Sequence, residues 1–232
     1  MKIHIGFEQQ SIQWLTAKAG VVSASEIDAL VSPKWEVRKG KGVDTYIAQK
    51  VAESWIGGPI PTSSTLSMEF GNILEQEVYD GLAFEFGWKI SRPAFITTDD
   101  SICGCSPDGM CDDFGIEIKN PGALNHTKYL LAGVVPDDYI GQCQFSMWVT
   151  GMKRWKFVSN RRGFPQLVLD VERDETAMNA FSEAVAGFKK RFDASIAKLI
   201  ALNGGEPPKR NSYRDSILHP QPENIESFDY LA

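Results

Sequence analysis

The sequence has no long hydrophobic run, because its 232 residues contain no stretch of about 18 apolar side chains. A transmembrane helix is therefore not expected. The first residues, MKIHIGFEQQ, also lack the apolar core of a signal peptide. Neither the phosphate-binding pattern G-x-x-x-x-G-K-[ST] nor the dinucleotide pattern G-x-G-x-x-G occurs, so a nucleotide cofactor is not indicated. The lack of a transmembrane helix and of a signal peptide predicts a cytoplasmic protein.

Cysteine is scarce, and the chain has four: Cys103, Cys105, Cys111 and Cys143. Cytoplasmic proteins seldom form disulfides. The spacing C-x-C-x5-C, with the fourth cysteine far away, lacks the paired C-x2-C of zinc and iron–sulfur sites. We interpret all four as reduced thiols of the core, because cysteine is among the most buried residue types. A structural zinc or cluster site is the alternative.

Positive charge is in short supply, since 24 Lys and Arg oppose 30 Asp and Glu, for a net charge of −6. This balance argues against a protein coated in positive charge, but local patches decide nucleic-acid binding. Residues 151–169 carry five basic side chains and no acidic one, and residues 32–42 form a second basic stretch. Both interleave aromatics with Lys and Arg, as surfaces that follow a nucleic-acid backbone do. The alternative is a solvent-exposed edge strand whose charged side chains prevent pairing with another chain.

Hydrophobic periodicity predicts an α/β protein with a mixed central sheet flanked by helices. Helices are expected in the second half of 35–55, at 67–87, from near 136 to 150, and at 174–202. Strands are expected at AFITTDD, SICGC, GIEIKNP, RWKFVSN and QLVLDVERD. Ser23 and Glu26 fit a capping box at the start of a further helix. We expect a single domain over residues 1–203 and an extended Pro-rich tail over residues 204–232.

The strand GIEIKNP carries an unusual pair of charges. Alternate side chains of a strand share a face, so Glu117 and Lys119 point one way while Ile116 and Ile118 point into the core. Asp108 lies upstream in a Pro-Asp-Gly turn, and the DDFG turn can fold the hairpin so that Asp108 approaches Glu117. Two carboxylates with nearby backbone carbonyls suit Mg²⁺, which prefers oxygen ligands and keeps waters for substrate phosphates.

Lys119 has a role beside such a metal ion. Next to a scissile phosphate it can stabilise the developing negative charge, or it can position or deprotonate the attacking water if its pKa is lowered. The metal itself would lower the pKa of bound water and offset phosphate charge. The pattern favours metal-dependent phosphodiester hydrolysis. The alternative is that Glu117 and Lys119 form an exposed charge pair and that Asp108 is a plain turn residue.

These motifs together resemble the phage lambda exonuclease family, which consists of viral alkaline exonucleases with the PD-(D/E)XK nuclease fold. The resemblance rests on CSPDG, on E-x-K nine positions after the aspartate, and on GQCQFSMWVTG, in that order. It runs from about residue 14 to about residue 200 and includes WLTAKAGVVSASEI, the FGNILEQE helix and VLDVERDE. The implied fold is the PD-(D/E)XK core.

The resemblance implies a set of catalytic residues: Asp108, Glu117, Lys119, Gln142 and Glu75. Asp108 and Glu117 match metal ligands, with the carbonyl of Ile118 beside them, and Lys119 matches the catalytic lysine. Glu75 matches a helix glutamate that serves the metal site. Without the resemblance, Glu75 and Gln142 would be read as ordinary polar residues of helices.

The resemblance also implies contacts with DNA. Ser25 matches a residue that holds the terminal 5′-phosphate, where a helix N-terminus suits an anion. Lys18 stands where the best-known member has an arginine. Because lysine is a point charge and cannot bind bidentately, we expect a weaker preference for 5′-phosphorylated ends. Met68 matches an apolar side chain that wedges the duplex end, and a buried methionine at the start of a helix is the alternative. The remaining DNA-binding candidates are Trp14, Arg161 and Arg162.

The activity implied by the resemblance is a Mg²⁺-dependent 5′→3′ exonuclease, with Mn²⁺ as a substitute, that processively digests one strand of double-stranded DNA. A ring-shaped homotrimer is implied, with Lys and Arg lining its channel and an acidic exterior. The implied setting is phage or prophage recombination in a bacterial cytoplasm, beside a single-strand annealing partner. Two alternatives stay open: a site-specific endonuclease of the same fold, and a DNA-binding module without catalysis.

Overall fold

The computed structural model describes residues 1–60, 78–79 and 81–208 of the chain. Within this part lie two four-stranded sheets. The strands of the first are β1 (Lys2–His4), β2 (Val22–Ser23), β3 (Phe95–Thr97) and β4 (Cys103–Cys105). Its order is β1-β3-β4-β2, with β2 parallel to β4 and the other neighbours antiparallel.

The second sheet contains the predicted GIEIK strand. Its members are β5 (Gly109–Met110), β6 (Gly115–Lys119), β7 (Arg154–Ser159) and β8 (Leu167–Glu172), in that spatial order. β6 and β7 are parallel, whereas the other neighbours are antiparallel. A parallel pair needs a long crossover, and two helices fill it: α3 (Ala123–Ala132) and α4 (Asp137–Thr150).

The remaining helices cover the sheets and enclose the main core. They are α1 (Ile12–Lys18), a 3₁₀ helix (Ala24–Ala29), α2 (Lys41–Ile56) and α5 (Glu175–Leu202). Residues 78–79 and 81–86 are also helical. Phe145 of α4 packs edge-on against Phe181 of α5, with ring centroids 5.1 Å apart. The predicted mixed sheet flanked by helices is confirmed. No helix in the part of the chain described combines the length and apolar character needed to cross a membrane.

The predicted capping box at Ser23 is wrong. Ser23 ends β2 and makes no side-chain capping bond, and a 3₁₀ helix follows it instead of an α-helix. The glutamate that the box requires is engaged elsewhere. Glu26 accepts a hydrogen bond from Tyr46 and forms an ion pair with Lys50, and both partners belong to α2. Tertiary contacts therefore outcompete the local cap.

Other elements were not predicted from the sequence. The segment before residue 136 contains α3, where no helix was expected, and β1 and α1 were also not predicted. The predicted helix at 67–87 is helical at 78–79 and 81–86, while Met68 and Glu75 lie outside the described residues. The domain boundary at residue 203 stays a prediction, although α5 ends at Leu202.

The cysteines are free thiols. Cys103, Cys105 and Cys143 are buried in the core, as predicted, and Cys111 is half-buried. Burial raises the pKa of the three buried thiols above the ordinary value, so these side chains stay protonated and unreactive.

Candidate active site

The β5–β6 hairpin places Asp108 beside the strand that carries Glu117. The hairpin closes through Cys111 N–H, which donates to Phe114 O at 2.9 Å. Asp108 N–H donates to Ile116 O at 3.1 Å, and the Asp108 carboxylate accepts from Ile118 N–H at 2.5 Å. Tyr79 Oη donates to the Asp108 carbonyl at 2.6 Å. The predicted folding of the turn onto β6 is therefore present, with Asp108 bonded to the residue that follows Glu117.

The alternation predicted for β6 is confirmed. Ile116 and Ile118 are 0% and 4% exposed and pack into an apolar cluster. Glu117 is also buried, at 2% exposure, and its Oε1 accepts from Lys119 Nζ at 2.5 Å and from Gln142 Nε2 at 2.7 Å. A buried carboxylate is costly unless charged and hydrogen-bonding partners satisfy it. The exposed charge pair considered as an alternative is thus replaced by a pair whose carboxylate is buried.

Lys119 is held as a cation in this arrangement. Burial acts to lower its pKa, but the Glu117 and Asp108 carboxylates outweigh burial and raise the pKa above the ordinary lysine value. Its Nζ lies 5.2 Å from the ring centroid of Tyr139, which stacks on Phe157.

Tyr139 was missed by the sequence reasoning. It lies three residues before Gln142 on α4, and residues three apart on a helix share a face. Both side chains therefore reach the charged end of β6, one contacting Lys119 and the other Glu117. The spacing Y-x-x-Q in DDYIGQCQ was the signal that could have found it.

The donor set fits a hard divalent cation. Asp108 and Glu117 supply carboxylate oxygens, and both act electrostatically on Lys119. The N–H and C=O of a strand residue point to the same edge. Ile118 N–H faces Asp108, which directly precedes β5. The Ile118 carbonyl is therefore directed to that edge as well. No group of three or more His, Cys, Asp or Glu side chains suited to a metal occurs in the described part, which excludes residue 75. Mg²⁺ commonly takes one or two carboxylates and fills its other positions with water and phosphate.

Lys18 and Ser25 approach the same region from α1 and the 3₁₀ helix. Lys18 Nζ lies 4.1 Å from the Trp14 ring centroid, and Trp14 Nε1 donates to Ser106 Oγ at 2.7 Å. Burial lowers the pKa of Lys18 to about 8, while the charges of Glu26 and Glu117 act to raise it. Ser25 is exposed, lies 3.2 Å from Ser23 Oγ, and lines a cavity of about 360 Å³ that Gln142 also lines.

Arg161 and Arg162 follow β7 at the edge of the sheet where β6 also ends. They line a cleft of about 150 Å³ with Asn120 and Asn160. Asn120 comes directly after Lys119, and Asn160 N–H donates to Lys119 O at 2.9 Å. Two other basic residues of the predicted patch, Arg154 and Lys156, pair with Asp113 and Asp170. The basic patch is thus partly neutralised, and its arginine pair shares a cleft with Asn120, the residue that follows Lys119.

A mixed sheet that presents an aspartate on a hairpin and E-x-K on the next strand defines the PD-(D/E)XK class of nucleases. The chain belongs to the family of the YqaJ-like viral recombinase domain, which matches residues 13–153. This match covers the hairpin, β6 and α4, and it confirms the resemblance to the lambda exonuclease family.

One curated protein and several solved structures are similar to this chain. The Escherichia coli K12 protein ExoD, described as uncharacterised, is 33% identical over 79 residues, 31% of this chain and 88% of its own. The alkaline exonuclease LHK-Exo from Laribacter hongkongensis superposes with a TM-score of 0.73 at 24% identity, over 84% of this chain and 99% of its own. Its complex with dAMP gives a TM-score of 0.72.

A more distant structure shares the fold. The phage-related exonuclease from Haemophilus somnus 129PT gives a TM-score of 0.59 at 12% identity, over 77% of this chain and 96% of its own. These likenesses establish the predicted PD-(D/E)XK fold. With the family match, they support the predicted enzyme class, a DNA exonuclease.

Proposed function

We propose that this protein is a divalent-metal-dependent exonuclease that digests one strand of duplex DNA from its 5′ end. The observation that carries the proposal is the convergence of Asp108, Glu117 and Lys119 at the end of β6. Glu117 accepts from Lys119 at 2.5 Å, and Asp108 is bonded to Ile118 between them. The family membership and the exonucleases of the same fold support this chemistry.

The metal proposed for this site is Mg²⁺, with Mn²⁺ as a substitute. Asp108, Glu117 and the Ile118 carbonyl would hold it, and Glu75 is added from the resemblance alone. A bound divalent ion supplies acidification of water and neutralisation of phosphate charge. All of the protein donors are oxygens, which is the ligand type that Mg²⁺ prefers.

The neighbouring side chains have distinct proposed roles. Lys119, held as an ammonium ion, stabilises the negative charge that develops on the scissile phosphate. Gln142 fixes the orientation of the Glu117 carboxylate through its 2.7 Å hydrogen bond. Tyr139 packs against Lys119 and limits the positions that its ammonium group can take.

Recognition of the DNA end is assigned to residues around α1 and to the arginine cleft. Lys18 and Ser25 hold the terminal 5′-phosphate, and Trp14 supports Lys18 through its ring. Arg161 and Arg162 bind backbone phosphates beside Lys119. Met68 is retained from the resemblance as the side chain that wedges the duplex.

The biological setting is also part of the proposal. The enzyme acts processively as a homotrimer that encircles DNA, since a ring reconciles a net charge of −6 with a basic channel. Its 3′ single-stranded product would serve an annealing protein in phage-type recombination, in the cytoplasm of a bacterial host.

Digestion of end-labelled DNA tests the proposed function directly. Linear duplex labelled at either end is incubated with Mg²⁺ or with EDTA, and covalently closed circular DNA is the control. We expect metal-dependent release of the 5′ label as mononucleotides from linear DNA alone. Cutting of the closed circle would replace the exonuclease with an endonuclease. Binding without cleavage of any DNA would favour the non-catalytic module.

Replacing Lys18 tests the proposed 5′-phosphate contact. Lys18→Ala should reduce the ratio of digestion rates on 5′-phosphorylated and 5′-hydroxyl ends toward one, because the cation facing the phosphate is lost. Lys18→Arg is the matched variant and should raise the ratio, since a guanidinium binds phosphate bidentately. Initial rates on the two duplexes provide the measurement. Equal rates on both ends in the parent protein would contradict this contact.

A further inference from the structure

Two charged side chains of α2 are buried, and the half-buried Glu26 of the 3₁₀ helix pairs with one of them. Lys50 of α2 is 3% exposed, and its Nζ lies 2.8 Å from Glu26 Oε2 and 3.0 Å from Glu53 Oε2. Glu53 is 6% exposed. Desolvating such a cluster is costly, and apolar side chains of similar volume often stabilise a protein at least as well. The cluster of Lys50, Glu53 and Glu26, named here the α2 charge cluster, therefore calls for a role other than stability.

One carboxylate of the cluster holds the corner that follows Lys18. Glu53 Oε2 accepts from Gly20 N–H at 2.9 Å, and Glu53 Oε1 accepts from Gln49 Nε2 at 2.8 Å. Gly20 has φ of +74°, and a Cβ there would lie 2.8 Å from Ser54 Cβ. The chain therefore leaves α1 in close contact with α2, in a conformation that suits glycine. The position of Lys18 depends on this corner, because it lies two residues before Gly20.

The other carboxylate belongs to the segment that carries Ser25. Glu26 is the next residue of the 3₁₀ helix, and it also accepts from Tyr46 Oη at 3.1 Å. Burial acts to raise the pKa of Glu26, but Lys50 outweighs burial and the pKa falls below its ordinary value. Glu26 is thus an anion, and Lys50 ties the Ser25 segment to the same helix that holds the α1 corner.

The cluster also sets the electrostatic surroundings of Lys18. Burial lowers the pKa of Lys18, Glu26 acts to raise it, and Lys50 acts to lower it. Lys18 and Lys50 together balance the two carboxylates. If the charge of Lys50 were removed, Lys18 would become the counterion of two anions, and an incoming phosphate would meet uncompensated negative charge.

We propose that Lys50 is a positioning residue for recognition of the DNA 5′ end. Through Glu53 and Glu26 it holds the α1 corner against the 3₁₀ helix, and its charge leaves Lys18 available to the terminal phosphate. Lys50 does not touch the DNA and acts on the phosphate only through Lys18 and Ser25. The inference rests on the proposed function, because it assumes that these two residues receive the 5′-phosphate.

Charge-changing variants of the cluster test this inference. Lys50→Met keeps an unbranched side chain, shorter by the terminal ammonium, and removes its charge, whereas Lys50→Met combined with Glu26→Gln restores the charge balance. Asp44→Asn is the control, because Asp44 lies on the same helix and pairs with Arg191 at 2.6 Å on the surface. Affinities for 5′-phosphorylated and 5′-hydroxyl hairpin duplexes are measured with Ca²⁺ present, and initial digestion rates are measured with Mg²⁺.

The selectivity ratio is the quantity that distinguishes a positioning role from a structural one. We expect Lys50→Met to lower the ratio of the two affinities about tenfold and to leave digestion of hydroxyl ends within about twofold of the parent. The double variant should recover most of the ratio, and Asp44→Asn should match the parent. Thermal melting of each variant monitors folding. If Lys50→Met fails to fold, the double variant is used instead, and a ratio of affinities equal to that of the parent supports the charge argument.

Several outcomes would overturn the inference. A folded Lys50→Met with parental selectivity would do so, as would equal losses on both duplexes or a double variant that recovers nothing. Parental digestion of linear DNA with no preference between ends would overturn the inference and leave the exonuclease intact. Absence of digestion by the parent would defeat the proposed function, while the affinity ratio would still decide whether Lys50 controls phosphate binding.

Discussion

Replacing Lys119 with alanine will abolish cleavage of linear duplex DNA, with a loss of at least about a thousandfold in initial rate. Lys119 is the cation that contacts Glu117 at 2.5 Å, and its pKa stays above the ordinary value because two carboxylates face it. Without it, the charge that develops on the scissile phosphate loses its nearest protein cation. Release of labelled mononucleotides with Mg²⁺ is the measurement, and the oligomeric state should match that of the parent.

A matched lysine controls for loss of charge alone. Lys189→Ala on α5 removes an exposed lysine that pairs with Asp193, and it should leave the digestion rate unchanged. A Lys119→Ala protein that digests DNA at the parental rate would sink the assignment of the active site. If it retains full DNA binding while losing cleavage, the loss belongs to the chemical step.

Replacing Gly115 with alanine will destabilise the protein strongly, by about 3 kcal/mol in the free energy of unfolding. Gly115 begins β6 and pairs with Trp155 of β7 in the parallel register. A Cβ on Gly115 would lie 2.2 Å from atoms of the Trp155 ring, and Trp155 is 0% exposed. Neither the ring nor the strand can move away without disturbing a close-packed core. Urea unfolding of the purified protein measures the effect.

Gly122→Ala provides the control for this substitution. Gly122 precedes α3 with φ of −62°, and a Cβ there meets no atom within 4 Å. Its effect should stay within about 0.5 kcal/mol, as for other surface substitutions. A Gly115→Ala protein as stable as the Gly122→Ala protein would show that Trp155 can turn aside at little cost. Since β6 carries Glu117 and Lys119, a folded Gly115→Ala protein should also digest DNA more slowly.

The hairpin and β6 could be predicted because their signals are local. The alternation in GIEIK places Glu117 and Lys119 on one face, and the turn residues 112–115 return the chain toward Asp108. The helices at 137–150 and 175–202 were also predicted, since their apolar residues recur at helical spacing. The class of nuclease was recognised from the family resemblance, which rests on CSPDG, E-x-K and GQCQFSMWVTG occurring in that order.

Other features depended on contacts between distant segments. The S-x-x-E pattern at Ser23 predicted a cap, yet Glu26 is drawn to Lys50 and Tyr46 of another helix. Tyr139 gains its place beside Lys119 because the crossover between β6 and β7 lays α4 over the strand ends. Short elements such as β1 and α3 carry too few periodic residues to be distinguished from loops.

The sequence by itself determined the strand alternation, the turn and the order of motifs, and these were sufficient to recognise the nuclease class. Only the tertiary structure decided which charges are buried. Glu117 and Lys50 have local surroundings that would suit solvent, and each is desolvated by segments remote in the chain. The periodicity of apolar residues can be read from neighbouring positions in the sequence. The free energy of burying a charged side chain depends on all the groups around it in space, which a local pattern does not contain.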